Sequence, residues 1–291
     1  MNYMKKLFSA TFEQSLNLLD DQLVVYMINK GDPKSLRNKP WINTFFSVLI
    51  FGFCYLISRL YYHQDSNSPV GLATINLFPS WIIYIFFFVW LLCIIYVKKF
   101  IYRENEQVVF LLNSNNLLLI MIVSLNLFFI TFFLKPLTII GMSLLLSILV
   151  LVGYIVFRTK KRSLENVLYE TKTKKDKIDK LVEKVLKLVM KYGWIVVTIV
   201  MLWKLIFPSS NEVRTDVVGF IGLVSMWIVA DIGFIVAEAY LFFPYLLHGY
   251  YKYKYPEEYR EWEGKTQLEW YGEKYFNKHI KDTEKEVNEE Q

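Results

Sequence analysis

The stretch LNSNNLLLIMIVSLNLFFITFFLKPLTIIGMSLLLSILVLVGYIVF, residues 112–157, carries one charge, Lys135, and it stands beside Pro136. A hydrocarbon core of about 30 Å needs about 20 apolar residues for each helical crossing. Read as two crossings, Leu112–Leu134 and Leu137–Phe157, each arm has that length, and Lys135–Pro136 leaves room only for a tight helical hairpin. Working outward, four further apolar runs read the same way: Pro40–Ser58, Ser80–Val97, Trp194–Phe207 and Val217–Leu247. The run 194–207 is short and interrupted by Lys204. With 54% hydrophobic and 18% aromatic residues against only 12 Gly and 8 Pro, an ordinary soluble α/β domain is excluded. The expected fold is all-α, a polytopic membrane protein with about six transmembrane helices.

Positive charge orients these spans, because loops rich in Lys and Arg stay in the cytoplasm during insertion. With the N-terminus inside, 29 of the 33 Lys and Arg fall on the cytoplasmic side. Arg59, Lys135, Lys204 and Arg214 are the remainder, outside or near the outer end of a span. Both termini are therefore expected in the cytoplasm. A five-span arrangement would place the eight Lys and Arg after Gly249 outside, against the same rule.

The chain then divides into residues 1–39, an amphipathic N-terminal segment; 40–157, spans one to four; 158–191, a basic amphipathic cytoplasmic helix; 192–248, spans five and six; and 249–291, an aromatic-rich cytoplasmic tail. Phe8, Phe12, Leu16, Leu19 and Leu23 recur at helical spacing, broken by Glu13, Asp20 and Asp21. A secretory signal needs an unbroken apolar core, so this segment reads as a helix on the inner face or against the other helices. In the middle segment Ile178, Leu181, Val182, Val185, Leu186, Leu188 and Val189 make an apolar stripe. Lys174, Lys177, Lys180, Lys184 and Lys187 flank it as candidate contacts to the anionic inner leaflet. Nucleic-acid binding is not expected, because the lysines are tied to a membrane edge with no basic fold motif around them.

The tail echoes itself, Glu261-Trp262-Glu263-Gly264 against Glu269-Trp270-Tyr271-Gly272, and its aromatic density predicts packing against the inner ends of the spans or in the headgroup zone. It is net acidic and the middle segment net basic, so a contact between them is expected; the last dozen residues read as disordered. Cys54 and Cys93 sit at depths differing by about 10 Å, which disfavours a disulfide.

Ionisable residues inside a span cost about 2.5–3.5 kcal/mol each and mark places to look for function. Asp231 lies roughly 21 Å below the outer surface and Glu238 roughly 31 Å, which leaves Asp231 intramembrane and Glu238 interfacial. Lys204, near the outer end of span five, is expected to snorkel outward. The expected company of Asp231 is the asparagine cluster of span three, Asn113, Asn115 and Asn116, in one polar layer. That layer reads as interhelical glue or, alternatively, as an ion route.

His63, His248 and His279 show no metal spacing, and no nucleophile elbow, phosphate loop or dinucleotide turn is present. The expectation is a non-enzymatic protein with no cofactor, metal or catalytic residues. It would act by interaction, as a membrane partner, assembly component or toxin-immunity protein, with a protein partner or by self-association. The runner-up is a small transporter or channel. Richness in Lys, Asn, Ile, Phe and Tyr suggests an AT-rich, Gram-positive bacterial source and a plasma-membrane location.

Overall fold

The computed structural model describes residues 7–30, 40–63, 75–77, 79–101, 114–171, 177, 180–182, 184–185, 187–188, 191–192 and 217–287. Every regular element among them is helical: α1 Phe12–Leu16, a 3-10 turn Asn17–Asp20, α2 Gln22–Lys30, α3 Pro40–His63, α4 Ser80–Ile101, α5 Asn116–Leu168, α6 Val217–Ala237, a π segment Glu238–Phe242, α7 Phe243–Lys254, α8 Pro256–Trp262, α9 Gln267–Tyr271 and α10 Glu273–His279. Among the described residues two helices are long and apolar enough to cross a membrane, Asn116–Leu168 and Phe220–Lys254. Large apolar side chains stand exposed along them, Ile140 at 81% on the first and Val229 at 68% on the second, a surface that suits lipid and not water. The fifth predicted run, 194–207, lies outside the described residues, as do Asn113, Lys174 and Lys204.

α5 is two arms. Thr138 breaks it at φ 63°, ψ 166°, two residues after Pro136, and Thr138 Oγ1 accepts from Gly141 N at 3.4 Å, capping the second arm. The register against α6 shows the chain folding back there. Along the first arm the α6 partners run in reverse: Phe133 meets Phe220 at 5.3 Å, and Asn126 meets Asp231. Along the second arm they run forward: Met142 shares a cluster with Trp227, Gly153 lies against Ile235, and Lys160 sits over the Tyr240 ring at 5.0 Å. The hairpin predicted at Lys135–Pro136 is thus present, with its turn at Thr138.

α3 and α4 complete the apolar layer on the far side of the first arm. Trp90 packs on Ile120 and donates to Thr44; Phe51 and Cys54 pack with Phe86, Leu125 and Phe128; Ser58 donates to Asn76 at 2.7 Å, and Leu77 N donates to Thr131 Oγ1 at 3.2 Å. α3 therefore runs parallel to the first arm and α4 antiparallel to both. Cys54 is a free, buried thiol, and the Cys93 side chain lies outside the described residues.

The second arm of α5 and the α6–α7 helix both outrun a 30 Å hydrocarbon core, the arm by roughly 15 Å at 1.5 Å per residue. Their overhanging ends carry a cap folded from both termini. Leu7, Ala10 and Leu18 from the N-terminus, Leu164 and Leu168 from α5, and Leu247, Tyr251, Tyr259 and Trp270 from the tail form one buried cluster. Tail tyrosines stitch it through the main chain: Tyr251 donates to Leu7 O at 2.6 Å and accepts from Ala10 N, Tyr255 donates to Ala10 O at 2.8 Å, and Tyr259 bonds Ser15 at 2.8 Å.

Three expectations change here. The N-terminal segment packs against the other helices, as one of the two expected placements had it, but as two short helices broken at Asp21 and not as one. That residue is extended, φ −79° and ψ 109°, because its carboxylate accepts from Leu23 N at 2.9 Å and caps α2. The basic segment 158–191 begins as a continuation of the second arm, through Leu168, before a turn at Tyr169 and Glu170. The tail reaches the middle segment through burial of Leu164 and Leu168, while its own charges pair internally, Lys252 with Glu263 at 2.5 Å and Lys265 with Glu263 at 3.0 Å.

The end of the tail is folded as far as Val287, since Gln267 donates to Lys285 O at 2.9 Å and accepts from Val287 N at 3.0 Å. Disorder was expected from residue 280 on; a single buried glutamine supplies the backbone partners that composition alone does not reveal. The echo in the tail also has a physical meaning. Gly264 at φ 64° and Gly272 at φ 73° each follow a short helix and take the left-handed turn that ends it.

Candidate polar site between the spans and the cap

Asp231 and Glu238 are seven residues apart on the α6 line and share a face. Asn126 and Asn115 are eleven residues apart on the first arm of α5, about three turns, and share the face opposite. The structure joins them as two stacked amide–carboxylate pairs. In the upper pair, Asn126 Nδ2 donates to Asp231 Oδ1 at 2.7 Å and to Ile122 O at 2.9 Å. Asn126 Oδ1 accepts from Trp227 Nε1 at 3.1 Å, so one amide ties two α6 side chains to α5. Asp231 is buried, and its Oδ2 has no partner among the described residues.

In the lower pair Asn115 hydrogen-bonds Glu238 through their side chains. Asn115 Oδ1 and Glu238 Oε1 are both buried without a partner among the described residues, as is Asn116 Nδ2. The bond therefore runs from Asn115 Nδ2 to Glu238 Oε2. Both residues stand in wide π turns, Ser114–Asn115 and Glu238–Phe242, the two π turns among the described residues. Such turns locally widen a helix and recur at functional sites.

The partner expected for Asp231 thus belongs to the expected helix but lies eleven residues away. Asn115 serves Glu238, Asn116 bonds neither acid, Asn113 lies outside the described residues, and Asn126 takes Asp231. A start of that span near Val108 would put Asn113, Asn115 and Asn116 about 8–12 Å above the inner face, level with Asp231. The first described π turn, at Ser114–Asn115, instead lies level with the π segment at Glu238, which moves the whole arm along α6. Glu238, expected at the inner interface, is half-buried.

A buried ion pair closes the site toward the cap, and nothing in the sequence pattern pointed to it. Lys160 Nζ lies 2.6 Å from Asp21 Oδ2, with the side chains 1% and 4% exposed. Lys160 also lies over the Tyr240 ring, inside the π segment. α2 lies across the same segment, Leu23 against Ala239 and Tyr240, Met27 against Tyr245. Farther into the cap, burial would raise Glu263, but the Lys252 and Lys265 ammonium groups outweigh it and hold its carboxyl below the usual range. Burial pushes the Tyr259 hydroxyl up to about 12 despite its bond to Ser15.

Of the lysines expected at the inner leaflet, Lys177, Lys180, Lys184 and Lys187 are exposed, beside the exposed Leu181, Val185 and Leu188. Lys187 also bonds Gln22, and Val182 packs on the Leu23 cluster, which ties this segment to α2. No family model matches the chain, and neither a curated protein nor a solved structure matches it.

Proposed function

We propose that the chain is a non-enzymatic, multi-pass protein of a bacterial plasma membrane, with six spans and both termini in the cytoplasm. It works by binding a protein partner at the inner face, as an assembly component or immunity-type protein would. The distribution of Lys and Arg supports the orientation. The exposed basic face at Lys177, Lys180, Lys184 and Lys187 supports seating on anionic lipid.

One observation carries the partner-binding reading. The cap is knitted from both ends of the chain with a filled core, yet it leaves Trp262 at 53% and Tyr253 at 57% exposed. Aromatic side chains of that size are favoured anchors of protein interfaces. A photo-crosslinking residue at position 262, in cells expressing the full chain, should give one discrete protein adduct, and the same residue at the buried position 259 should give none. Lipid adducts alone would identify the surface as a headgroup anchor and overturn the reading.

A second reading rests on the partnerless Oδ2 of Asp231, which would suit transport of a proton or small cation. Against it stands the roughly 10 Å between Asp231 and Glu238 along α6, whose intervening residues IGFIVA carry no polar side chain. Proteoliposomes should therefore show no ion flux above empty vesicles at any pH. Flux that disappears in Asp231→Asn would reverse the ranking.

A further inference from the structure

We propose that Glu238 and Asn115 form a proton-binding site, in which one proton converts an incomplete amide–carboxylate contact into a closed, two-bond pair. This stands independently of the partner-binding reading. Asn115 donates Nδ2–H to Glu238 Oε2, and the two atoms left without partners are the other oxygens of the same two groups, Asn115 Oδ1 and Glu238 Oε1. Both are acceptors, so with the carboxylate ionised neither has a donor among the described residues. A proton taken from water onto Oε1 turns that oxygen into a donor toward Asn115 Oδ1. The product is a cyclic amide–carboxylic acid pair, with one bond in each direction and no net charge. Burial favours this state, because an orphaned acceptor and an unpaired charge are both costly away from water.

Among the described residues, no cation pairs with Glu238. α5 contributes the neutral amides of Asn115 and Asn116 from its first arm, and Lys160 from its second. The Lys160 charge is already closed on Asp21 from the N-terminus of α2 at 2.6 Å. α6 contributes Asp231, held by Asn126. Farther along the same elements stand Glu165, His248 and the exposed Tyr26, five residues from Lys160, ten from Glu238 and five from Asp21. The π segment that carries Glu238 also carries Ala239 and Tyr240, on which α2 rests. Proton binding therefore draws α5, the α6–α7 helix and the seat of α2 together, and proton release loosens the same junction.

Infrared difference spectra of the full-length protein in lipid nanodiscs, taken between about pH 4 and about pH 9, test this. The wild type should lose a protonated-carboxyl band as the pH rises, and its melting temperature should fall over the same interval. Glu238→Gln mimics the protonated pair with an amide. It should lack the band and melt, independently of pH, near the acid value of the wild type. Asn115→Leu should keep the band but shift it to the higher frequency of an unbonded carboxyl, and this carries the test if Glu238→Gln fails to fold. Asp231→Asn, which leaves the lower pair intact, should retain the wild-type band. A band unchanged in either Glu238→Gln or Asn115→Leu, or no band in the wild type, would overturn the proposal.

Discussion

Replacing Lys160 with methionine should destabilise the cap by about 3–5 kcal/mol, the usual cost of leaving one member of a buried ion pair without the other. Asp21 would remain buried, still accepting from Leu23 N but with no cation against Oδ2. The first consequence should be release of residues 7–30. Their hold on the tail depends on α2 being seated over Ala239, Tyr240 and Tyr245. Limited proteolysis in nanodiscs should then cut within that segment at protease concentrations that leave the wild type intact. Asp21→Asn alone should also be costly, since it strands the ammonium beneath Tyr240. The pair Asp21→Asn with Lys160→Met should recover most of the loss, because asparagine still caps α2 and methionine fills the lysine's volume without charge. Coupling of this kind is the signature of a direct pair. Additive single and double effects would mean that the two side chains act separately, and that the 2.6 Å contact contributes nothing.

How much of this was legible in the sequence follows from the range of each signal. The α5 hairpin was readable because its cause is local: apolar length sets two arms, and Lys135–Pro136 cannot continue one of them. The face shared by Asp231 and Glu238 was readable for the same reason, as seven residues is nearly two whole turns. What failed was register between helices. Asn115 and Asn126 both present a side chain toward α6, three turns apart, and only packing decides which meets Asp231. The aromatic tiers Phe129–Trp227 and Phe133–Phe220 make that choice, at centroid distances of 5.6 and 5.3 Å. Asp21 and Lys160 were invisible as a pair because 139 residues separate them. In sequence each looked like one more charge beside a membrane, and the local signal at Asp21, an acidic residue just before an apolar run, was that of a helix cap. The tail glycines lay between these extremes: the echo was visible, and its meaning as two helix-ending turns needed the backbone angles.

Asn126→Leu should be strongly destabilising within the apolar layer, and markedly worse than Asp231→Leu. Asn126 is the hub: it gives Asp231 its described donor and gives Trp227 Nε1 its acceptor, both across the α5–α6 contact. Leucine keeps the volume but removes both bonds, leaving a carboxylate and an indole N–H stranded in hydrocarbon. The uncompensated acid alone costs about 2.5–3.5 kcal/mol at span depth. Asp231→Leu removes the charge with its bond and leaves Asn126 its contacts to Trp227 and Ile122. Its cost should stay near the roughly 0.6 kcal/mol typical of one interhelical hydrogen bond. Denaturation in mixed detergent micelles, followed by Trp fluorescence, separates the two, and adding Asp231→Leu to Asn126→Leu should restore part of the loss. If Asp231→Leu proves as costly as Asn126→Leu, the acid itself is needed for the fold and the hub argument fails. If Asp231→Leu is silent in stability but abolishes partner crosslinking at position 262, the carboxylate serves the cap from across the bilayer edge rather than holding the helices together.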